Sequence, residues 1–121
     1  VAVPRELQPV IVDSGLTPVS YKERPTDSFD VALVRQSIRG QTKLALDYAD
    51  ETGNVTRRVV WPFLLAYWDD IRLICAWCEL RQDFRHFRTD RVRKAEALGR
   101  FPERITTLRR KWEAQRRSSK R

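Results

Sequence analysis

Apolar positions change period twice along this chain. Over residues 28–39, Val31, Val34 and Ile38 fall on one face with Phe29 and Leu33 beside them, the spacing of an amphipathic helix. Asp27 or Ser28 suits the N-cap, because a short polar side chain accepts from the free N–H groups of a first turn. Gly40 follows at once, where a left-handed residue commonly ends a helix. From residue 42 the period is two: Leu44, Leu46 and Tyr48 alternate with Lys43, Ala45 and Asp47. After the turn cluster Asp50-Glu51-Thr52-Gly53-Asn54 the alternation resumes with Val55, Arg57, Val59 and Trp61. Two such runs about such a turn predict a hairpin. Pro62 has no N–H to give to a ladder, which predicts a bend or an edge. Phe63–Trp68 is a third apolar run, and Asp69-Asp70 a tight turn. Ile71–Cys78 is a fourth, apolar enough to be the most buried strand. Glu79–Asp83 turns the chain, and Phe84–Val92 is a fifth run in which charges and aromatics interleave.

After Val92 the pattern returns to helix. Pro102 and Glu103 suit a first helical turn, and Ile105, Leu108 and Trp112 form an apolar stripe among Arg109, Arg110, Lys111, Arg116 and Arg117. Five short strands with one helix before and one C-terminal helix predict a mainly β fold with flanking α-helices, built on a small, strongly bent sheet or barrel. Ahead of it, Pro4, Pro9, Pro18 and Pro25 crowd the first quarter, and only Val10–Val12 looks strand-like. The expected organisation is a linker or N-terminal extension over 1–27, a domain over 28–92 and a basic helical extension over 93–121.

Length and charge sharpen this picture. The chain has 121 residues, 41% of them apolar, enough for one core and too few for two. No run approaches the 18 or so apolar residues of a membrane span, and no secretory pattern opens the chain. Two cysteines read as reduced thiols, so a cytoplasmic setting is expected. The chain starts at Val1 and contains no Met, which reads as a fragment or a removed initiator. Residues 1–90 carry 12 basic and 13 acidic side chains, while 91–121 carry 12 and 3. The net +8 is therefore a basic tail on a near-neutral body. Such a tail suits nucleic acid, an anionic surface or an acidic protein, or is simply a solvated helix end.

Cys75-Ala76-Trp77-Cys78 has the spacing of a redox or zinc motif. On a strand, however, residues three apart face opposite ways, so two separately buried thiols are expected instead. Asp69-Asp70 reads as turn chemistry rather than paired catalytic carboxylates. The four glycines are isolated, which leaves no phosphate-cradling loop, and no nucleophile elbow or HExxH is present. No enzyme, cofactor or metal site is expected.

The richest stretch is Leu80-Arg81-Gln82-Asp83-Phe84-Arg85-His86-Phe87-Arg88-Thr89-Asp90-Arg91. In a regular strand Arg85, Phe87, Thr89 and Arg91 share one face, and Phe84, His86, Arg88 and Asp90 the other. A single bulge exchanges the two sets. Guanidinium forks bind phosphate and stack on bases, so such a surface can hold a nucleotide or a single strand. In the plainer alternative the aromatics are core and the arginines pair with Asp83, Asp90 or Glu79.

The run from Val34 to Val92 resembles the WYL domain of bacterial transcriptional regulators of the DeoR type. The blocks that carry the likeness are Arg58-Val59-Val60-Trp61-Pro62, Tyr67-Trp68-Asp69, Leu73 to Arg81, Asp83-Phe84-Arg85, and Phe87 to Val92; Phe101 to Trp112 is similar to the segment that follows that domain. The Trp-Tyr-Leu triplet that names the family stands here as Ile71-Arg72-Leu73. The resemblance implies an Sm-like, SH3-type five-stranded barrel. It also implies a ligand-sensing domain that binds single-stranded DNA or RNA, or a nucleotide, through a basic pocket. Residues carried over for that pocket are Arg81, Arg85, Arg88 and Arg91; Arg57, Arg58 and His86 are added from the strand pattern. Such regulators signal to an N-terminal winged helix-turn-helix, which residues 1–40 lack the helices to form. The alternative is a protein-interaction or homodimerisation module with no small ligand.

Overall fold

The computed structural model describes residues 11–13 and 30–118. Strand β1 (Ile11–Asp13) precedes helix α1 (Val31–Gly40), β2 (Thr42–Ala49), β3 (Val55–Trp68), β4 (Ile71–Cys78) and β5 (Asp83–Arg88). A 3-10 turn (Thr89–Arg91), β6 (Val92–Arg100) and helix α2 (Ile105–Ser118) follow. The antiparallel sheet runs β5–β4–β3–β2–β6, with β1 added to the second half of β3. This hydrogen-bonded path is open: β5 and β6 are its two edges among the described residues. Strand β1 overlaps the expected Val10–Val12, while the rest of the Pro-rich segment lies outside the described residues.

Each face of the sheet is closed by one helix. Val31 and Val34 of α1 pack on Leu44, Leu46, Val60, Leu65, Ile74 and Phe87. Leu108 and Trp112 of α2 pack on Phe63, Leu64, Ala66, Leu73 and Cys75 across the sheet. The β4 alternation divides between the two cores, with Ile74, Ala76 and Cys78 on the α1 side and Leu73 and Cys75 on the α2 side. The two thiols are buried and unpaired and face opposite cores, as strand alternation predicts.

Pro62 does not separate two strands. The second and third apolar runs form one 14-residue strand, β3. The β2 ladder reaches only to Val60 and the β1 ladder starts at Leu65, so Pro62 falls in a gap where its missing N–H costs little on that side. Opposite β4, Pro62 pairs with Ala76 and Leu64 with Cys75. Phe63 is therefore the extra residue of a bulge. Because side chains alternate every residue, that insertion keeps Trp61, Phe63 and Leu64 all toward α2.

Two other expectations change. The helix cap is Asp30, whose carboxylate accepts from the Ala32 N–H at 2.9 Å; Asp27 and Ser28 lie outside the described residues. Gly40 completes α1, and Gln41 takes the left-handed position, with φ 58°. Its side-chain amide donates to the Phe101 carbonyl (2.7 Å) and its own carbonyl accepts from the Phe101 N–H (3.1 Å), two bonds that offset the strain. Residues 92–100, expected to turn helical, form the edge strand β6. Its inward positions, buried Val92 and half-buried Ala95 and Leu98, are spaced by three, which mimics a helix in sequence. That spacing arises because two bulges interrupt its pairing with β2.

The Phe63 bulge yields a direct test. Deleting Phe63 shifts the register and turns apolar side chains to the wrong faces, so cooperative urea unfolding is lost. Phe63→Leu keeps the residue count and unfolds cooperatively with a loss of about 1 kcal/mol.

Candidate functional site

The arginine-rich stretch is divided by the fold into committed and uncommitted groups. Arg88 is committed: its Nε and Nη2 meet the two Asp90 carboxylate oxygens at 3.0 and 2.7 Å. This bidentate bond holds the Asp90 carboxyl below the usual carboxylate range and raises Arg88 further. Arg57 lies on the β2–β3–β6 surface between Asp47 (3.6 Å) and Glu96 (3.5 Å). Arg58 donates from Nε to Thr56 Oγ1 at 3.0 Å and approaches Cys78 Sγ at 4.0 Å. Arg81, in the β4–β5 turn, and Arg85, on β5 opposite Ala76, are exposed. Arg91 sits half-buried in the 3-10 turn.

On β5 the pattern resolves as follows. Phe87 enters the core under α1, while Phe84 and His86 turn toward α2. The Trp112 Nε1–H donates to His86 Nε2 at 3.0 Å, which leaves the imidazole proton on Nδ1. Burial first, then the Arg116 charge, push His86 down to about 4. At neutral pH it is an uncharged acceptor under α2, not a cationic contact for phosphate. Burial likewise pushes the Cys75 thiol up to about 12, which keeps it protonated and unreactive.

A cavity of about 460 Å³ opens between the sheet and α2. None of the seven side chains proposed from the sequence lines it. Its floor is a cross-strand row: Trp61 of β3 is in register with Trp77 of β4, and Trp77 with Phe84 of β5. Trp61 and Trp77 are 6.4 Å apart between centroids, and Trp77 meets Phe84 edge-on at 5.2 Å. Behind Trp61, Phe101 stacks in parallel at 5.3 Å. Leu108 forms the apolar wall on the helix side.

The rim is polar. Glu79 accepts from Trp61 Nε1 at 2.8 Å and from Lys43 Nζ at 3.0 Å. The indole bond first and the lysine next hold its carboxyl below the ordinary glutamate range. Lys43 Nζ also lies 5.7 Å from the Trp61 ring centre. Glu103 pairs with Lys111 at 3.1 Å. Gln82, in a left-handed turn position with φ 54°, donates its side-chain amide to the Glu79 carbonyl at 2.8 Å. The sequence offers aromatics either as core or as stacking surfaces for bases, and it does not group Trp61, Trp77 and Phe84. Only the strand register shows that these three line up along a cleft.

A match to the WYL domain family model spans residues 30–97, more than half of the sequence. The chain belongs to that family. Among solved structures it is similar to proteasome accessory factor B/C (PafBC) of Arthrobacter aurescens, at 30% identity and a TM-score of 0.61. That alignment covers 71% of this chain and 15% of the other, so the chain spans a small part of its relative's length. No curated protein matches. No helix among the described residues is long and apolar enough to cross a membrane. At the triplet that names the family, Arg72 lies 5.8 Å from the Tyr67 ring, whose hydroxyl accepts from Arg35 at 3.2 Å.

The burial of His86 beneath α2, with the Arg116 charge nearby, makes stability depend on pH. The unfolded imidazole titrates near 6.5 and the folded one near 4, so the unfolded chain binds the proton more readily. The contribution is complete above about pH 6.5 and is lost as pH falls toward 4, amounting to about 3 kcal/mol. Denaturant unfolding at steps between pH 7 and 4 should show that loss. His86→Gln should flatten this segment of the profile.

Proposed function

We propose that this chain is the ligand-sensing regulatory domain of a bacterial transcriptional regulator and acts by binding rather than catalysis. The ligand is of nucleic-acid type, a single strand or a nucleotide, and the setting is the cytoplasm. Family membership and the likeness to PafBC support the regulatory role. The observation that carries the ligand class is the state of the β5 arginines. Arg81, Arg85 and Arg91 make no close ion pair or side-chain hydrogen bond among the described residues, although the charges of Arg85 and Arg91 help hold Asp83 and Asp90 below the usual carboxylate range, while Arg88, Arg57 and Arg58 are engaged locally. Uncommitted guanidiniums on one strand and its flanking turns can take phosphates without first breaking an internal pair. Arg88 then acts by fixing the Asp90 turn, and His86 by anchoring α2 behind the strand. Ligand binding shifts an equilibrium between conformations or dimer arrangements, which a DNA-binding domain elsewhere in the regulator reads. We also read the bent sheet as a partly closed Sm-like barrel, since only a three-residue turn separates its edge strands β5 and β6.

Fluorescence anisotropy with short labelled single-stranded DNA and RNA over a salt series tests the assignment. Arg81→Ala and Arg85→Ala should each weaken binding and flatten the salt dependence by roughly 0.7 per lost phosphate contact. Affinity unchanged in both variants would remove these residues from the site.

A second reading, a homodimerisation module, is favoured by the two open sheet edges and by Leu80, 64% exposed beside β5. Light scattering separates the two readings. A monomer at high concentration with oligonucleotide binding intact supports the sensor.

A further inference from the structure

The aromatic cleft under α2 has chemistry opposite to that of the β5 arginines. We propose that it binds an organic cation of guanidinium type, held by stacking on Trp61 and Trp77 and by charged hydrogen bonds to Glu79 and Glu103. This is a second site that goes beyond the proposed function and stands whether or not the arginines bind a polyanion.

The size is that of a ligand site. About 460 Å³ falls in the usual range for small-molecule cavities and exceeds what one ammonium group fills. The electrostatics run against the rest of the molecule. The sequence has 24 basic side chains against 16 acidic, yet two carboxylates, three aromatic rings and one basic side chain, Lys111, line this cleft, with Lys43 reaching Glu79 from the rim. An aromatic face carries negative quadrupole density that attracts a cation, more strongly as water is excluded. A polyanion entering here would meet Glu79 and Glu103.

The protein already places cations where the ligand's charge would sit. Lys43 Nζ is over the Trp61 ring at 5.7 Å and 3.0 Å from Glu79. Lys111 Nζ bridges both oxygens of Glu103 at 3.1 and 3.2 Å. Each ammonium is a point donor on a flexible stem, and the Lys111 side chain is 58% exposed, so it can leave for water at little cost. A planar guanidinium satisfies a carboxylate with two parallel bonds and also stacks on a ring. The two lysines therefore compete with the ligand for its own contacts. That gives the proposal an unusual sign: removing a positive charge at the rim should tighten cation binding, and removing a negative one should weaken it.

The test is an NMR titration of the full chain, following the Trp61 and Trp77 indole N–H signals with agmatine, with an acetylated arginine amide and with AMP. Agmatine or the arginine amide should shift both signals saturably, and AMP should not. The amide arm binding alone would identify a protein arginine as the source, and agmatine binding as well would identify a free metabolite-like cation. Glu79→Gln keeps an oxygen acceptor for the Trp61 indole, so it preserves the fold while removing the charge. Glu103→Gln provides an independent variant at the exposed rim. Each should weaken cation binding roughly tenfold or more, and Lys111→Met should strengthen it. Absence of a saturable cation shift, unchanged affinity in both glutamine variants, or AMP displacing the indole signals in preference to the cations would overturn the proposal. Oligonucleotide anisotropy with the β5 arginine variants is unaffected by any of these outcomes.

Discussion

Strand β3 sits at the centre of this sheet and contributes to both cores, so the facing of its side chains governs everything packed upon it. Val60 and Leu65 serve the α1 side, and Trp61, Phe63, Leu64 and Ala66 the α2 side. An uninterrupted alternation cannot distribute these residues in that way. The bulge at Phe63 can, because one unpaired residue resets the parity of the strand without breaking its pairing to β4. Pro62 marks the place. It sits between the end of one neighbouring ladder and the start of another, where a residue without an N–H is tolerated. The position of α2, the burial of Trp112 and the floor of the cleft all depend on that parity.

The charge distribution follows a similar logic of commitment. Six of the seven candidate groups are arginines, and the fold uses three of them, Arg57, Arg58 and Arg88, to hold local structure. The other three are spread along β5 and its two flanking turns, Arg81 and Arg85 exposed and Arg91 half-buried. On the opposite face of that strand the only histidine is neutral and serves as an acceptor for Trp112. A cationic edge and a cleft lined by acids and aromatics are thus set on two sides of one strand, because successive residues of β5 face opposite ways.

Much of the architecture was legible in the residues. The periods of two and 3.6, the Asp50–Asn54 turn and the Leu108–Trp112 stripe locate most elements, and the long blocks from Arg58 to Val92 point to the family. Three features were not legible, each for a physical reason. Strand β6 is an edge strand with bulges, and its spaced apolar residues imitate a helical period. The continuity of β3 through Pro62 depends on where two other ladders end, a tertiary fact invisible to local rules. The cleft depends on register: Trp61, Trp77 and Phe84 lie in three separate strands, and nothing short of their pairing shows that they are adjacent. Residue composition favoured the arginines because charge is conspicuous in a sequence, whereas concavity has no signature there.

Gln41 and Phe101 join parts of the molecule that are otherwise distant in the chain. Gln41 ends α1 and grips the Phe101 backbone from both sides, while the Phe101 ring lies flat against Trp61. Four residues after Phe101, α2 begins. Phe101 is therefore in direct contact with Trp61 through its ring and with the end of α1 through its backbone. The two helices, on opposite sides of the sheet, thus share one buried residue, which ties the end of one and the entry to the other to the floor of the cleft.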